Sequence, residues 1–114
     1  MISAELLMER YNWDQVLREE LSPLITRQVI HTSYTTIVRV TFKRGAVVAL
    51  HEHFHEQVTM LMSGRLRFDL NGEEIVLEAG EVLRIPPNAP HLAEALEDSL
   101  CIDVFSPARE DWKQ

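Results

Sequence analysis

The sequence has little cysteine, glycine or basic charge, and it contains no long hydrophobic run. Its single cysteine, Cys101, excludes an internal disulfide framework and is typical of a protein kept in the reducing cytoplasm. Lysine and arginine number 11 against 18 aspartates and glutamates, and this net charge of −7 argues against nucleic-acid binding. No apolar run approaches the ~18 residues of a membrane helix, and the acidic first residues do not match a signal peptide. We therefore expect a cytoplasmic protein without a nucleic-acid or membrane partner.

The composition is that of an ordinary globular domain, with 46% hydrophobic and 25% charged residues in 114. A chain of this length predicts one domain, residues 1–114. From Leu24 onward, apolar and polar residues alternate in short segments separated by turn signals, of which Asn71-Gly72 is the strongest. The pattern predicts an all-β sandwich or barrel with its core at about residues 24–106.

Residues 1–23 are expected to form an N-terminal extension to this core. Apolar residues in 2–11 have rough helical spacing, but so short a helix would need packing to persist. The segment could instead pair as an edge strand or cross to a partner subunit. The stretch from Trp13 to Pro23 is predicted to be irregular.

A stretch rich in histidine, from Gly45 to Gly64, indicates chemistry. His51 and His53 stand at alternate positions, and alternate side chains of a strand point to the same face. Neutral imidazole is the commonest metal ligand, and the carbonyl of nearby Gln57 offers an oxygen donor. His55 falls where the chain turns, so we expect it behind the ligands or at the surface.

Two motifs in the sequence resemble those of the cupin family. The first motif is G-x5-H-x-H-x3,4-E-x6-G, found here at Gly45, His51, His53, Gln57 and Gly64 with glutamine in place of glutamate. The second is G-x5-P-x-G-x2-H-x3-N, found here at Gly80, Pro86, Asn88, His91 and Ala95, where the last glycine and the asparagine are replaced. The resemblance covers about residues 35–106.

The resemblance implies a cupin double-stranded β-helix, a jelly-roll barrel that holds a divalent metal ion inside. Carried over, the ligands are His51, His53, Gln57 and His91. Glutamine makes this set neutral, so the metal would keep its full charge and act as a stronger Lewis acid. Zn, Ni, Fe(II), Mn and Co all suit such donors. Because small cupins usually pair, a homodimer is expected.

A narrower resemblance links the chain to the small pectin- and alginate-degradation cupins of the KdgF type, which linearise 4,5-unsaturated uronates. The dense histidine motif and the tail from Asp103 to Trp112 carry it. It implies that Asp103, Phe105 and Arg109 line the site together with the metal. We hypothesise that Asp103 is a general acid/base, that Phe105 is an apolar wall, and that Arg109 clamps a substrate carboxylate bidentately.

Each of these residues also has a simpler structural interpretation. Period two places Cys101, Asp103 and Phe105 on one face of the last strand, where Asp103 either enters a cavity or pairs with Arg39. Cys101 would be a small buried apolar residue. Arg109 could be a solvated residue of an acidic tail. The two tryptophans could form dimer contacts or cover the ends of the barrel.

Three functions remain open from the sequence. The first is a metal-dependent, non-redox enzyme acting on a small sugar acid. The second is an iron(II) dioxygenase-type cupin, which the neutral Gln57 disfavours because it does not help to stabilise iron(III). The third is a non-enzymatic sugar- or anion-binding module.

Overall fold

Ten antiparallel strands form the fold in a computed structural model, which describes residues 8–113. The strands are β1 (Arg18–Ser22), β2 (Ile25–His31), β3 (Thr36–Phe42), β4 (Val47–His51), β5 (Glu56–Ser63), β6 (Arg65–Leu70), β7 (Glu73–Glu78), β8 (Val82–Ile85), β9 (His91–Ala95) and β10 (Ser99–Ser106). Single 3-10 turns lie at Trp13–Gln15 and Glu110–Trp112. The all-β prediction is confirmed.

The strands are arranged in two sheets that together form a jelly-roll barrel. One sheet has the order β1-β2-β3-β10-β5-β8, and the other has the order β4-β9-β6-β7. The chain passes repeatedly from one sheet to the other, so residues distant in sequence meet inside. The double-stranded β-helix expected from the motifs is confirmed.

Alternation along each strand determines what the barrel encloses. In β3, Val38, Val40 and Phe42 are buried while the residues between them are more exposed. Leu66 and Phe68 of β6, in the opposite sheet, are buried in the same alternating way. Burying a side chain of this size contributes about 1.5–3 kcal/mol. The apolar core fills part of the barrel and leaves space beside the ends of β4, β5 and β9.

The N-terminal part of the fold corrects one expectation. Arg18–Ser22 is a strand paired with β2, whereas the sequence predicted irregular structure up to Pro23. An edge strand is partly exposed on both faces, so its sequence REELS shows no apolar alternation. The segment before it is fastened by Gln28, whose side-chain amide donates to the carbonyl oxygens of Trp13 (2.6 Å) and Val16 (2.9 Å).

Most of the segment 2–11, predicted as a short helix or edge strand, lies outside the described residues. Its described part, residues 8–11, has no regular secondary structure. Within residues 8–113, the structure contains no helix long and apolar enough to cross a membrane.

Gly45 and Gly64, which begin and end the histidine-rich stretch, provide a matched test of packing. Both have φ +89°, so alanine should cost about 1–2 kcal/mol at either position. A Cβ at Gly45 meets nothing within 4 Å, whereas one at Gly64 would collide with Ser99 Oγ and the carbonyl oxygen of Asp98. We expect Gly64→Ala to lower the free energy of unfolding by about 1–3 kcal/mol more than Gly45→Ala, as measured by urea denaturation. Equal losses would contradict this packing.

Candidate metal centre and cavity

Three histidines from the two motifs lie close together in the fold. His51 ends β4 and His91 begins β9, and the register of these strands places the two residues opposite each other. Their ring centroids are 4.2 Å apart, and the ring of His53, from the loop after β4, lies 5.1 Å from that of His91. Ligand nitrogens of all three lie within 4.8 Å of one another. The chain therefore has a histidine cluster that can hold a metal ion.

The ring nitrogens of this cluster are oriented by the main chain. The Nδ1 atoms of His51 and His91 are each 2.8 Å from a backbone carbonyl oxygen, those of Ala49 and Ala89. His53 Nδ1 is 3.0 Å from the carbonyl oxygen of His55. A carbonyl oxygen only accepts, so each Nδ1 carries the proton. Each neutral ring then keeps the lone pair of its Nε2, the form that a metal ligand requires.

Gln57, which lies at the start of β5, completes the cluster. Its side-chain nitrogen donates to Thr59 Oγ1 (3.0 Å), which leaves its Oε1 facing His53 Nε2 at 3.1 Å. With the His53 proton on Nδ1, this contact joins two acceptors and is repulsive unless a cation lies between them. His91 Nε2 is likewise buried without a hydrogen-bond partner among the described residues. These unsatisfied acceptors fit a divalent metal ion.

The local electrostatics keep His53 and His91 neutral. Burial lowers the pKa of His53 to about 4, and the positive charge of Arg109 and repulsion from His91, were it protonated, contribute to the shift. The pKa of His91 is also lowered, mainly by burial. A double protonation of His53, which would satisfy both its carbonyl and its Gln57 contact, is therefore disfavoured at neutral pH.

A cavity of about 210 Å³ opens beside this cluster and reaches into the barrel. Valine, leucine and phenylalanine side chains from both sheets form its inner wall. Its polar lining is small and convergent, as in small-molecule sites. It comprises Arg27, His51, Gln57, His91, Cys101, Asp103 and Arg109.

Asp103 enters this cavity from the middle of β10. Thr59 Oγ1 donates to its Oδ1 (2.7 Å), and Cys101 Sγ lies 3.7 Å from the same oxygen. Burial raises the pKa of Asp103 to about 6, although these hydrogen bonds oppose the shift. The alternative pairing with Arg39 is wrong, because Arg39 lines a groove on the opposite face of the sheet.

Arg109 and Phe105 both line the cavity, so the interpretation of Arg109 as a solvated tail residue is wrong. Arg109 is 8% exposed, and its guanidinium carbon lies 4.9 Å from the Phe105 ring centroid and 3.9 Å from that of Trp112. Its Nε and Nη2 donate to the two carboxylate oxygens of Asp111, at 3.0 and 2.8 Å. Asp111 thus occupies one edge of the Arg109 guanidinium, the group predicted to clamp a substrate carboxylate.

His55 is buried next to the cluster rather than at the surface. It is 2% exposed, stacks on Phe54 with ring centroids 4.0 Å apart, and has its Nε2 3.8 Å from Asp111 Oδ1. Burial lowers its pKa. His31, at the end of β2, is partly buried, and its Nδ1 lies 2.9 Å from Thr36 Oγ1.

Three residues that line or support the site were not predicted as site residues from the sequence. Thr59 follows Gln57 by two positions on β5, so strand period two was a usable signal for it. Trp112 and Arg27 enter the cavity from the tail and from β2. Trp112 was noted only as the end of the tail, and Arg27 belongs to no motif. Only the fold brings them together.

Comparisons with known proteins cover most of this site. A family model described as a cupin domain matches residues 38–105, a range that includes the whole histidine cluster, Asp103 and Phe105. The pectin degradation protein KdgF of Dickeya dadantii is 33% identical over 102 residues, which cover 87% of this chain and 93% of that protein.

Two solved structures extend the similarity to three dimensions. The structure of KdgF from Halomonas sp. has a TM-score of 0.86 and 35% identity, covering 92% of this chain and 98% of that one. An RmlC-like cupin from Shewanella frigidimarina has a TM-score of 0.84 and 31% identity, covering 92% and 96%. Both matches extend over nearly the whole described fold.

The lone pairs of the histidine cluster predict tight binding of a divalent ion. Protein purified without chelators should contain a divalent metal by mass spectrometry, and the stripped protein should bind added Zn or Ni in calorimetry. His91→Ala should weaken that affinity by at least ~100-fold, because groups behind the ligands alone account for ~10–100-fold. His31→Ala, outside the cluster, is the matched control. Equal affinity in His91→Ala and wild type would contradict the assignment.

Proposed function

The chain belongs to the cupin family, and from this we propose that it is a metal-dependent, non-redox enzyme that linearises a 4,5-unsaturated uronate or a related small sugar acid. One observation carries the proposal: a single cavity joins a neutral histidine cluster to Asp103, Phe105 and Arg109. The similarity to a protein named for pectin degradation supports the substrate class, because pectin is built from uronic acids.

In this proposal His51, His53, Gln57 and His91 hold the metal ion. Their three imidazoles and one amide oxygen accept Zn, Ni, Fe(II), Mn or Co, with occupancy set by availability. When bound, the ion supplies Lewis-acid polarisation of a substrate hydroxyl or keto oxygen. The neutral ligand set leaves its charge undiminished.

Arg109 and Phe105 position the sugar acid. The carboxylate meets the edge of the Arg109 guanidinium that Asp111 does not use. Phe105, which is 4% exposed, gives the sugar ring an apolar surface. The Arg109 guanidinium packs against the rings of Phe105 and Trp112, and these contacts limit the movement of its side chain. The acid is therefore held in one orientation.

Asp103 moves the proton. Thr59 and Cys101 both contact Oδ1, which leaves Oδ2 for the substrate. The carboxylate takes the proton of the anomeric hydroxyl as the bond between the anomeric carbon and the ring oxygen breaks. The same proton is returned to the carbon end of the enol, giving a linear keto acid. The reaction is an isomerisation, so no oxidant or second substrate is required.

Replacing the base tests this assignment. Asp103→Asn keeps the shape of the side chain but removes its basicity, so turnover should fall by about 100-fold or more. Turnover is followed as the loss of ultraviolet absorbance of an unsaturated uronate, and metal content should not change. Asp14→Asn, on the exposed N-terminal turn, is the control. Unchanged turnover in Asp103→Asn would show that another group moves the proton.

The same assay separates the alternative functions. Oxygen consumption by the iron-loaded protein would favour a dioxygenase. Binding of sugar acids with neither turnover nor oxygen consumption would favour a binding module.

We also propose that the protein is a homodimer. The outer face of the six-stranded sheet exposes Met62 and Val82, and Leu100 and Ile102 lie beside a groove formed with the N-terminal segment. Apolar surface of this kind is typical of subunit contacts. Light scattering should give twice the chain mass, and Met62→Glu should reduce it to one; a wild-type monomer would contradict the proposal.

A further inference from the structure

Arg27 is a second arginine in the cavity, and neither the motifs nor the proposed mechanism uses it. It lies on β2 two residues after Ile25, and both side chains line the cavity. The next residue, Gln28, faces the other way and holds the N-terminal segment. The alternation of β2 therefore directs Arg27 inward, toward the same space as His51 and Asp103.

The guanidinium of Arg27 is incompletely satisfied within the described residues. Its only ion pair there is with Glu19, at 3.4 Å from Nη2. Its Nε is buried and has no hydrogen-bond partner in that part of the chain. Leaving a buried charged donor unpaired is costly, and a ligand oxygen in the cavity would remove that cost.

The relation of Arg27 to Arg109 shows which part of a ligand it would meet. The guanidinium carbons of Arg27 and Arg109 lie 4.3 and 3.9 Å from the ring centroid of Trp112. Both arginines therefore contact the Trp112 ring. Arg109 is paired with Asp111 and Arg27 with Glu19, so the two guanidinium groups are held at different places in the cavity.

Arg109 is the arginine on the metal side. Its guanidinium carbon lies 4.9 Å from the ring centroid of Phe105, which in turn lies 5.5 Å from that of His53. The contacts of Arg27 are instead with Glu19 and Trp112. Arg109 is thus placed for the acid group next to the cluster. Arg27 is placed for an oxygen at the other end of the same ligand.

We propose that Arg27 is a specificity-determining residue that donates its Nε–H to a hydroxyl oxygen of the sugar acid, at the end away from the carboxylate held by Arg109. The inference rests on the proposed function for the substrate class. It adds that the site recognises both ends of the molecule, so an acid without hydroxyl groups should bind poorly.

Two substitutions distinguish this role from a purely structural contact with Trp112. Glutamine places an N–H at the position of the arginine Nε but has no charge, whereas lysine keeps the charge and places carbon there. Recognition through Nε predicts that Arg27→Gln retains much of the affinity and that Arg27→Lys does not. A cation–π support for Trp112 predicts the reverse.

The experiment measures the binding of galacturonate, a saturated uronate that cannot react, through the change in tryptophan fluorescence of the metal-loaded protein. Arg27→Lys and Arg27→Met should weaken binding by about 10- to 100-fold, the value of a hydrogen bond from a charged donor. Arg27→Gln should weaken it several-fold less. For the unsaturated uronate, the same variants should raise KM while kcat changes by less than about threefold. Arg65→Met, at an exposed arginine of the outer surface, should match wild type.

The outcomes separate the two proposals. Equal galacturonate affinity in wild type and Arg27→Met, or rescue by lysine rather than glutamine, would overturn the role of Arg27. Binding that depends on Arg27 without turnover of the unsaturated uronate would support Arg27 and refute the reaction. If wild type bound no sugar acid at all, both would fall. Thermal unfolding of each variant identifies any that fails to fold. If Arg27→Lys and Arg27→Met do not fold, comparison of Arg27→Gln with wild type tests the role, and loss of most of the affinity in Arg27→Gln would contradict it.

Discussion

Three hydrogen bonds between imidazole and main chain underlie the site. Each of His51, His53 and His91 faces a carbonyl oxygen two residues away with its Nδ1. The main chain thereby fixes both the rotation of each ring and the nitrogen that carries its proton. Because the acceptors belong to the backbone, this arrangement depends on the course of the chain at the ends of β4 and β9 rather than on other side chains.

The charges of the cavity come from different elements of the fold. Asp103 brings an acidic group from β10, Arg27 brings positive charge from β2, and Arg109 brings positive charge from the tail. Asp111 and Glu19 partly balance the two arginines from positions nearer the solvent. The site can therefore be locally positive and attract an anion, although the protein as a whole has a net charge of −7.

Fixed spacing made the centre of the site predictable. The spacing of the first motif grouped His51, His53 and Gln57, and the second motif supplied His91, so sequence alone could assemble the cluster. The strand argument for His53 was not needed, because β4 ends at His51 and His53 lies in the loop that follows. The edge strand β1 could not be predicted, since partial exposure of both faces removes the alternation that identifies a strand. The stack of Arg27, Trp112 and Arg109 was equally hidden, because its members come from different ends of the chain and only the closed barrel brings them together.

In the proposed mechanism Asp103 is needed for turnover, but its position in the fold lowers stability. It lies in the middle of β10, between β3 and β5, where an apolar side chain would be expected to stabilise the barrel. Burying a carboxylate there costs stability that its neighbours only partly return. Selection for heat resistance alone should therefore favour replacing this residue early. Persistence of the aspartate among thermally adapted descendants of this chain would support the proposed role of Asp103 in proton transfer.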